Sequence, residues 1–247
     1  MRTFKKMLKI EGRLSIRDMN MVIFDIIMPL VILTIIGIIY GKKPAFPGAG
    51  YSFVDQSFGA LSSIAICAGG LMGLPIVIAD YRERKILKRF KVTPASPAMI
   101  LLVELVIYTL YSAASVIILA AVSVMFLGFR MQGSIASFMA GWVLVLLSIL
   151  SIGMLTGGIA KNSKQASVIA SLLYFPMLIF SGATLPYEVM PYGLQRIADI
   201  MPLTQGIKIL KAATLGQSID NVTLSVIIML VIAVICIAGS IRFFRWE

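Results

Sequence analysis

Apolar and polar positions segregate into long blocks along this chain. Six stretches are almost purely apolar and long enough to cross a bilayer as helices, for which about 20 residues suffice. They predict spans over Met21–Tyr40, Gln56–Ala79, Met99–Leu127, Ile135–Ala160, Ala166–Thr184 and Val222–Ile241. The expected fold class is all-α, six transmembrane helices with shorter elements between them. Residues 1–20 follow another pattern. Lys5, Lys9, Arg13 and Arg17 recur every four residues, with Phe4, Met7, Leu8, Ile10 and Leu14 on the opposite side of a helical wheel. That predicts an amphipathic helix in the membrane interface, its cations over anionic headgroups. A solvated start that only satisfies the charge bias of an inner face is the plainer alternative.

Residues 80–97, DYRERKILKRFKVTPASP, form a charged island between spans 2 and 3. Arg82, Arg84, Lys85, Lys88, Arg89 and Lys91 outnumber Asp80 and Glu83. Such a segment cannot lie in hydrocarbon, and its positive excess places it on the cytoplasmic side. Its middle reads as a short helix. Ile86, Leu87 and Phe90 fall on one side as an apolar ridge, with Glu83 on the same flank. Thr93-Pro94 ends it, because a residue before proline avoids the helical region. A ridge held this close to a membrane needs a surface to dock on.

Residues 181–211 are too polar to cross and too apolar to float free. Pro186, Pro191 and Pro202 punctuate them. Leu194, Ile197, Ala198 and Met201 recur at helical spacing, while Glu188, Arg196 and Asp199 bar a full span. The expectation is one or two short external re-entrant helices whose backbone is covered by protein.

Polar side chains inside the spans are few. Asp25 lies in the first turn of span 1. A carboxylate in a span is a functional candidate by default. The plainer reading is a first-turn acid favoured by the helix dipole and paired with Arg17 or another basic residue. Glu104, Tyr108, Tyr111 and Ser115 are spaced four, three and four apart, so they form one stripe on span 3. The stripe either walls a translocation path or hydrogen-bonds within the bundle. Gly69, Gly70 and Gly73 in span 2, and Gly153, Gly157 and Gly158 in span 4, give two faces that allow close helix approach. Pro75 is expected to kink the inner end of span 2.

Composition narrows the function. Of 247 residues, 59% are hydrophobic and only 13% charged, with a mean hydropathy of +0.97. Soluble domains are about a quarter charged, so this is an integral membrane protein. The net charge of +11 does not indicate nucleic acid, because the cations sit in the loops. Of the 22 Lys and Arg, sixteen fall in segments assigned inside. Six fall outside: Lys42, Lys43, Arg130, Arg196, Lys208 and Lys211. That asymmetry orients both termini to the cytoplasm of a multi-pass plasma-membrane protein. Cys67 and Cys236 lie within apolar stretches and read as core residues, not as a disulfide or metal pair. Histidine is absent, and no metal or catalytic set is expected. No cleavable signal peptide is expected either.

Two stretches carry a resemblance to a known family. Glu83-Arg84-Lys85-Ile86-Leu87-Lys88-Arg89, followed by Val92-Thr93-Pro94-Ala95-Ser96, resembles the cytoplasmic loop of type-2 ABC exporter permeases, roughly E-R-G-T-L-K-R-L and then V-T-P-x-S. The family's usual Gly-Thr is Lys85-Ile86 here. Phe180-Ser181-Gly182, Pro186, Glu188, Pro191 and Pro202-Leu203-Thr204 resemble the same family's motif between its last two spans, F-S-G…P…P…P-L-T. The resemblance covers essentially the whole chain, as one type-2 transmembrane domain over 1–247. It implies a dimer of this permease with a second copy or a paralogue. It also implies a cytoplasmic ATP-binding partner docked on a coupling helix in 80–97. Glu83, Arg84, Ile86, Leu87, Lys88, Arg89, Phe90, Thr93 and Pro94 would then couple the two.

The chain has no G-x-x-x-x-G-K-S/T loop to cradle phosphates, so ATP and Mg are expected on the partner and no cofactor on this chain. The expected function is export of a hydrophobic or amphipathic substrate: a drug, an antibiotic, a lipid or a lipid-linked glycan. Membrane lipids complete the expected partners. The alternative is a secondary transporter or channel without ATP, which would need intramembrane ion ligands or inverted repeats. An intramembrane enzyme is disfavoured by the lack of H-E-x-x-H, G-x-S-x-G and paired intramembrane aspartates.

Overall fold

The computed structural model of the chain describes residues 2–17, 19–41, 43–45, 48–86, 97–181 and 190–243. Among the described residues, six helices are long and apolar enough to cross a membrane. They are span 1 (Ile23–Tyr40), span 2 (Phe53–Glu83), span 3 (Ala98–Phe126), span 4 (Ile135–Ile159), span 5 (Ser163–Phe180) and span 6 (Asp220–Arg242). Helix α1 (Arg2–Arg17) precedes them, and α2 (Tyr192–Ile200) and α3 (Pro202–Leu215) lie between spans 5 and 6. Among the described residues there is no strand, only the isolated bridge between Pro44 and Ser52.

Span 2 is the hub. Its apolar window is 78% buried, against 22% in spans 1, 5 and 6. It packs on spans 1, 3, 4 and 5 and on α3. Glycine makes that density of neighbours possible. A Cβ on Gly59 would come within 2.7 Å of the Leu210 carbonyl carbon and the Lys211 nitrogen, so the backbones of span 2 and α3 touch. Further along, Gly153 of span 4 lies against the Gly70 carbonyl of span 2. The two small-residue faces read from the sequence therefore meet each other.

Span 2 runs past its expected limits of 56 and 79 at both ends. Ser52 Oγ accepts from the Asp55 amide at 3.1 Å, and Asp55 Oδ2 accepts from the Ser52 amide at 2.8 Å. This reciprocal cap, worth about 1 kcal/mol, starts the helix at Phe53. At the other end the helix continues through Asp80–Glu83, the first residues of the island. It stops at Arg84 and Lys85, where Lys85 takes φ +56°, and Ile86 is helical again.

Two turns of π-helix interrupt the spans. One, Ile23–Ile27, opens span 1 and contains Asp25. The other, Ala68–Gly73, sits in span 2 directly before Pro75. Proline has no N–H to give the preceding turn, and a wider turn there absorbs the mismatch. In α1, Met7 is buried, and Phe4 and Leu8 pack against the core. Ile10 and Leu14, also on the apolar side of the wheel, are exposed. Helix α1 packs on span 3.

Candidate functional site at the base of the charged island

Three consecutive residues at the island's start are each held by a different part of the bundle. Tyr81 comes first. Its hydroxyl lies 3.0 Å from Glu11 Oε2 of α1 and 2.9 Å from Glu104 Oε1 of span 3. One hydroxyl carries one proton, so it donates to only one carboxylate at a time.

Arg82 and Glu83 grip the turn between spans 4 and 5 from opposite sides. Arg82 Nη1 donates towards three carbonyls at the end of span 4: Gly158 at 2.6 Å, Ala160 at 2.9 Å and Gly157 at 3.3 Å. These belong to the last turn, whose carbonyls have no partner within the helix. A cation there also faces the negative end of the helix dipole. Glu83 Oε2 accepts from the Ser163 amide at 3.0 Å and from Ser163 Oγ at 2.8 Å. Ser163 is the first residue of the span 5 helix, so an anion meets the positive end. Asn162 Oδ1 accepts from the Gln165 amide at 2.8 Å and caps the same end. Neighbouring residues of opposite charge thus sit on helix ends of opposite sign.

Arg84 Nε donates to Asp80 Oδ1 at 2.8 Å, an exposed pair one helical turn apart. Such pairs stabilise by a few tenths of a kcal/mol, roughly 0.3. Of the residues expected to couple to a partner, Glu83, Arg84 and Ile86 are therefore placed. Leu87, Lys88, Arg89, Phe90, Thr93 and Pro94 lie outside the described residues.

The span 3 stripe turns towards spans 1 and 2. Glu104 is buried against Tyr81. Tyr108 lies across Gly73, where a Cβ would meet its ring and hydroxyl at 2.6 Å. Ser115 Oγ donates to the Asp25 carbonyl in the π turn of span 1 at 2.6 Å. Tyr111 is half-buried beside the same core. Asp25 itself is 2% exposed, and its carboxylate fills the space beside Gly69.

In the second motif, Ser181 Oγ donates to the Leu178 carbonyl at 2.8 Å just after Phe180 ends span 5. Pro191 precedes α2, and Pro202 opens α3, where its missing N–H costs nothing. Leu203 is fully buried. Gly182 and Pro186 lie outside the described residues. Lys208 Nζ of α3 pairs with Asp199 Oδ1 of α2 at 2.6 Å, closing the two short helices on each other.

The ABC-2 type transporter family matches residues 2–215. The chain belongs to this family. It is a multi-pass membrane protein, and the matched range takes in α1, the island, α2 and α3. The inner membrane transport permease YhhJ of Escherichia coli K12 is 30% identical over 136 residues, 53% of this chain and 35% of that protein. Nodulation protein J of Rhizobium leguminosarum bv. viciae is 32% identical over 89 residues, 36% of this chain and 34% of the relative. The probable multidrug ABC transporter permease YbhS of E. coli K12 is 24% identical over 190 residues, 75% of this chain and half of that protein. The matches thus span a third to a half of the length of these curated relatives. For an ABC-2 chain, Tyr81 and Arg82 are the functional candidates that sequence reasoning passed over. Their partners lie 23 to 78 residues away, and no local pattern announces them.

Proposed function

We propose that this chain is the transmembrane permease subunit of an ATP-driven exporter in the plasma membrane, with both termini cytoplasmic. The permease works with a second copy or a paralogue. ATP and Mg are bound and turned over by a separate cytoplasmic ATP-binding subunit. That partner docks on residues 80–97, with Leu87 and Phe90 as its apolar contacts. The cargo is hydrophobic or amphipathic.

The observation that carries this reading is the Arg82–Glu83 grip at the root of the island. Span 2 is helical through Glu83, so a push that reaches its end is passed to what its last residues hold. It reaches the end of span 4 through Arg82 and the start of span 5 through Glu83. Family membership supplies the engine, and the grip supplies the linkage.

The test is capture of the chain from its own membrane in mild detergent, with mass spectrometry of what accompanies it. A stoichiometric ATP-binding subunit is expected, lost on Leu87→Asp while the permease stays in the membrane. Capture with no ATPase, under conditions that preserve other ABC complexes, overturns the reading.

A further inference from the structure

A cavity of about 550 Å³ opens between span 4, α3 and span 6. It lies at the end of the bundle opposite the island: the last turn of span 4 meets Arg82, and its first turns line the cavity. The volume suits an organic ligand, for which about 300–1,000 Å³ is usual. Two walls share one gradient. Along span 4 the lining residues run Ser134, Ser137, Gly141 and Leu144, spaced three, four and three apart on one helix face. Along α3 they run from Ile209 through Ala213 to Gln217, just past the helix end. Both walls are polar at the loop end and apolar towards the middle of the bundle. Val222 and Val226 of span 6 complete the apolar part, and Gln132 joins the polar rim. The rim is preset. The amides of Gln132 and Gly133 donate to the Thr214 carbonyl at 3.1 and 3.0 Å, which ties the segment before span 4 to the end of α3.

We propose that this cavity binds a neutral lipid, with a hydroxyl-bearing head at the rim and an acyl chain along the apolar floor. Among the described residues, none that lines it is charged, in a chain of net charge +11. A phosphate or ammonium head would find no counter-charge in these walls. The carboxamides of Gln132 and Gln217 and the hydroxyl of Ser137 both donate and accept, as the hydroxyls of a polyol head do. The helix ends balance too. Span 4 brings its positive end to the rim and α3 its negative end, so the backbone favours neither sign. The acyl chain enters from the side. Ile135 and Met139 of span 4 and Leu224 and Ile227 of span 6 are exposed on the flanks, so the cavity opens between two surfaces that face lipid.

The inference needs a chain that spans a membrane and owes nothing to ATP or export, so it and the exporter reading can fail separately. The experiment uses the full chain in lipid nanodiscs and, as probe, monododecanoylglycerol with a photoreactive group in its acyl chain, followed by peptide mapping. Saturable labelling is expected, concentrated on span 4, α3 and span 6 around the cavity. Dodecyl phosphate and dodecyltrimethylammonium share the tail but carry charged heads, and should compete about tenfold less well than unlabelled monododecanoylglycerol. Glycerol, the head without the tail, should not compete, which separates a lipid from a soluble polyol. Equal competition by either charged amphiphile or by glycerol overturns the proposal, and none of these arms needs a variant. Labelling spread evenly over the lipid-facing helices overturns it too. Ala140 lines the cavity from an exposed position, so Ala140→Phe fills the space without entering the core. It should keep the parent's thermal midpoint and lose the saturable labelling. Labelling equal to the parent's would place the lipid elsewhere.

Discussion

The two ends of span 2 are held in unlike ways. At the Phe53 end the contact is shape. Gly59 lets the backbone of α3 lie against that of span 2, and every residue from Ser57 to Cys67 except Ala60 is buried. Asp55 adds a bond across the bundle, its Oδ1 accepting from the Arg130 amide at 3.0 Å. At the Glu83 end the contact is polar. Tyr81, Arg82 and Glu83 reach α1, span 3, span 4 and span 5 through hydrogen bonds on flexible side chains. Close backbone contact has one solution, because interiors packed at crystal density do not deform smoothly. Hydrogen bonds from flexible side chains can be broken and remade one at a time, each worth about 1 kcal/mol net. The chain is therefore anchored at one end of its central helix and adjustable at the other, where the island attaches.

The comparison breaks most severely at the anchored end. Gly59→Leu must push α3 away from span 2, since even a Cβ meets the Leu210 and Lys211 backbone at 2.7 Å. We expect a loss of about 3 kcal/mol, read as a large fall in the thermal midpoint and in the yield of monodisperse protein. Unchanged stability would mean that α3 is not seated on span 2 as described.

Arg82→Ala tests the adjustable end. It strips the carbonyls of Gly157, Gly158 and Ala160 of a donor in a part-buried setting. A cost of about 2 kcal/mol follows from leaving such groups without a partner. The protein should still assemble, because the span 2 core is untouched. In the proposed exporter complex, ATPase activity should persist while transport is lost. If transport survives, the linkage does not run through Arg82.

How much of this was legible in the sequence depended on range. The six spans were, because each is a long apolar run between charged segments. One or two short helices were expected in 181–211; two stand there, after Pro191 and from Pro202, the second reaching Leu215. The π turns were not. One extra residue per turn leaves no periodic mark where every position is apolar, as in Ala68–Gly73. Asp25 was legible as a residue but not as a buried one, since its register depends on the π turn around it. The grip on spans 4 and 5 was not legible either. Glu83 and Ser163 are 80 residues apart, and each looks like ordinary loop chemistry alone.

The smallest effect is expected at Lys85, between the polar grip and the rest of the island. The family's loop has glycine where this chain has lysine, and the structure gives a reason. Lys85 takes φ +56°, a left-handed conformation that glycine adopts freely and other residues adopt at a cost of roughly 1–2 kcal/mol. Its amide donates to the Arg82 carbonyl at 2.9 Å, so the turn is closed and the conformation fixed. Lys85→Gly removes the strain but gives the unfolded chain more freedom, which returns roughly 0.5–1 kcal/mol. A net gain of about 0.5 kcal/mol should remain, visible as a rise of a degree or two in the thermal midpoint. Lys85→Ala keeps the Cβ and so should show no rise, which separates backbone relief from loss of the charge. A rise with alanine equal to that with glycine would assign the effect to charge, and the turn at the root of the island would then carry no strain.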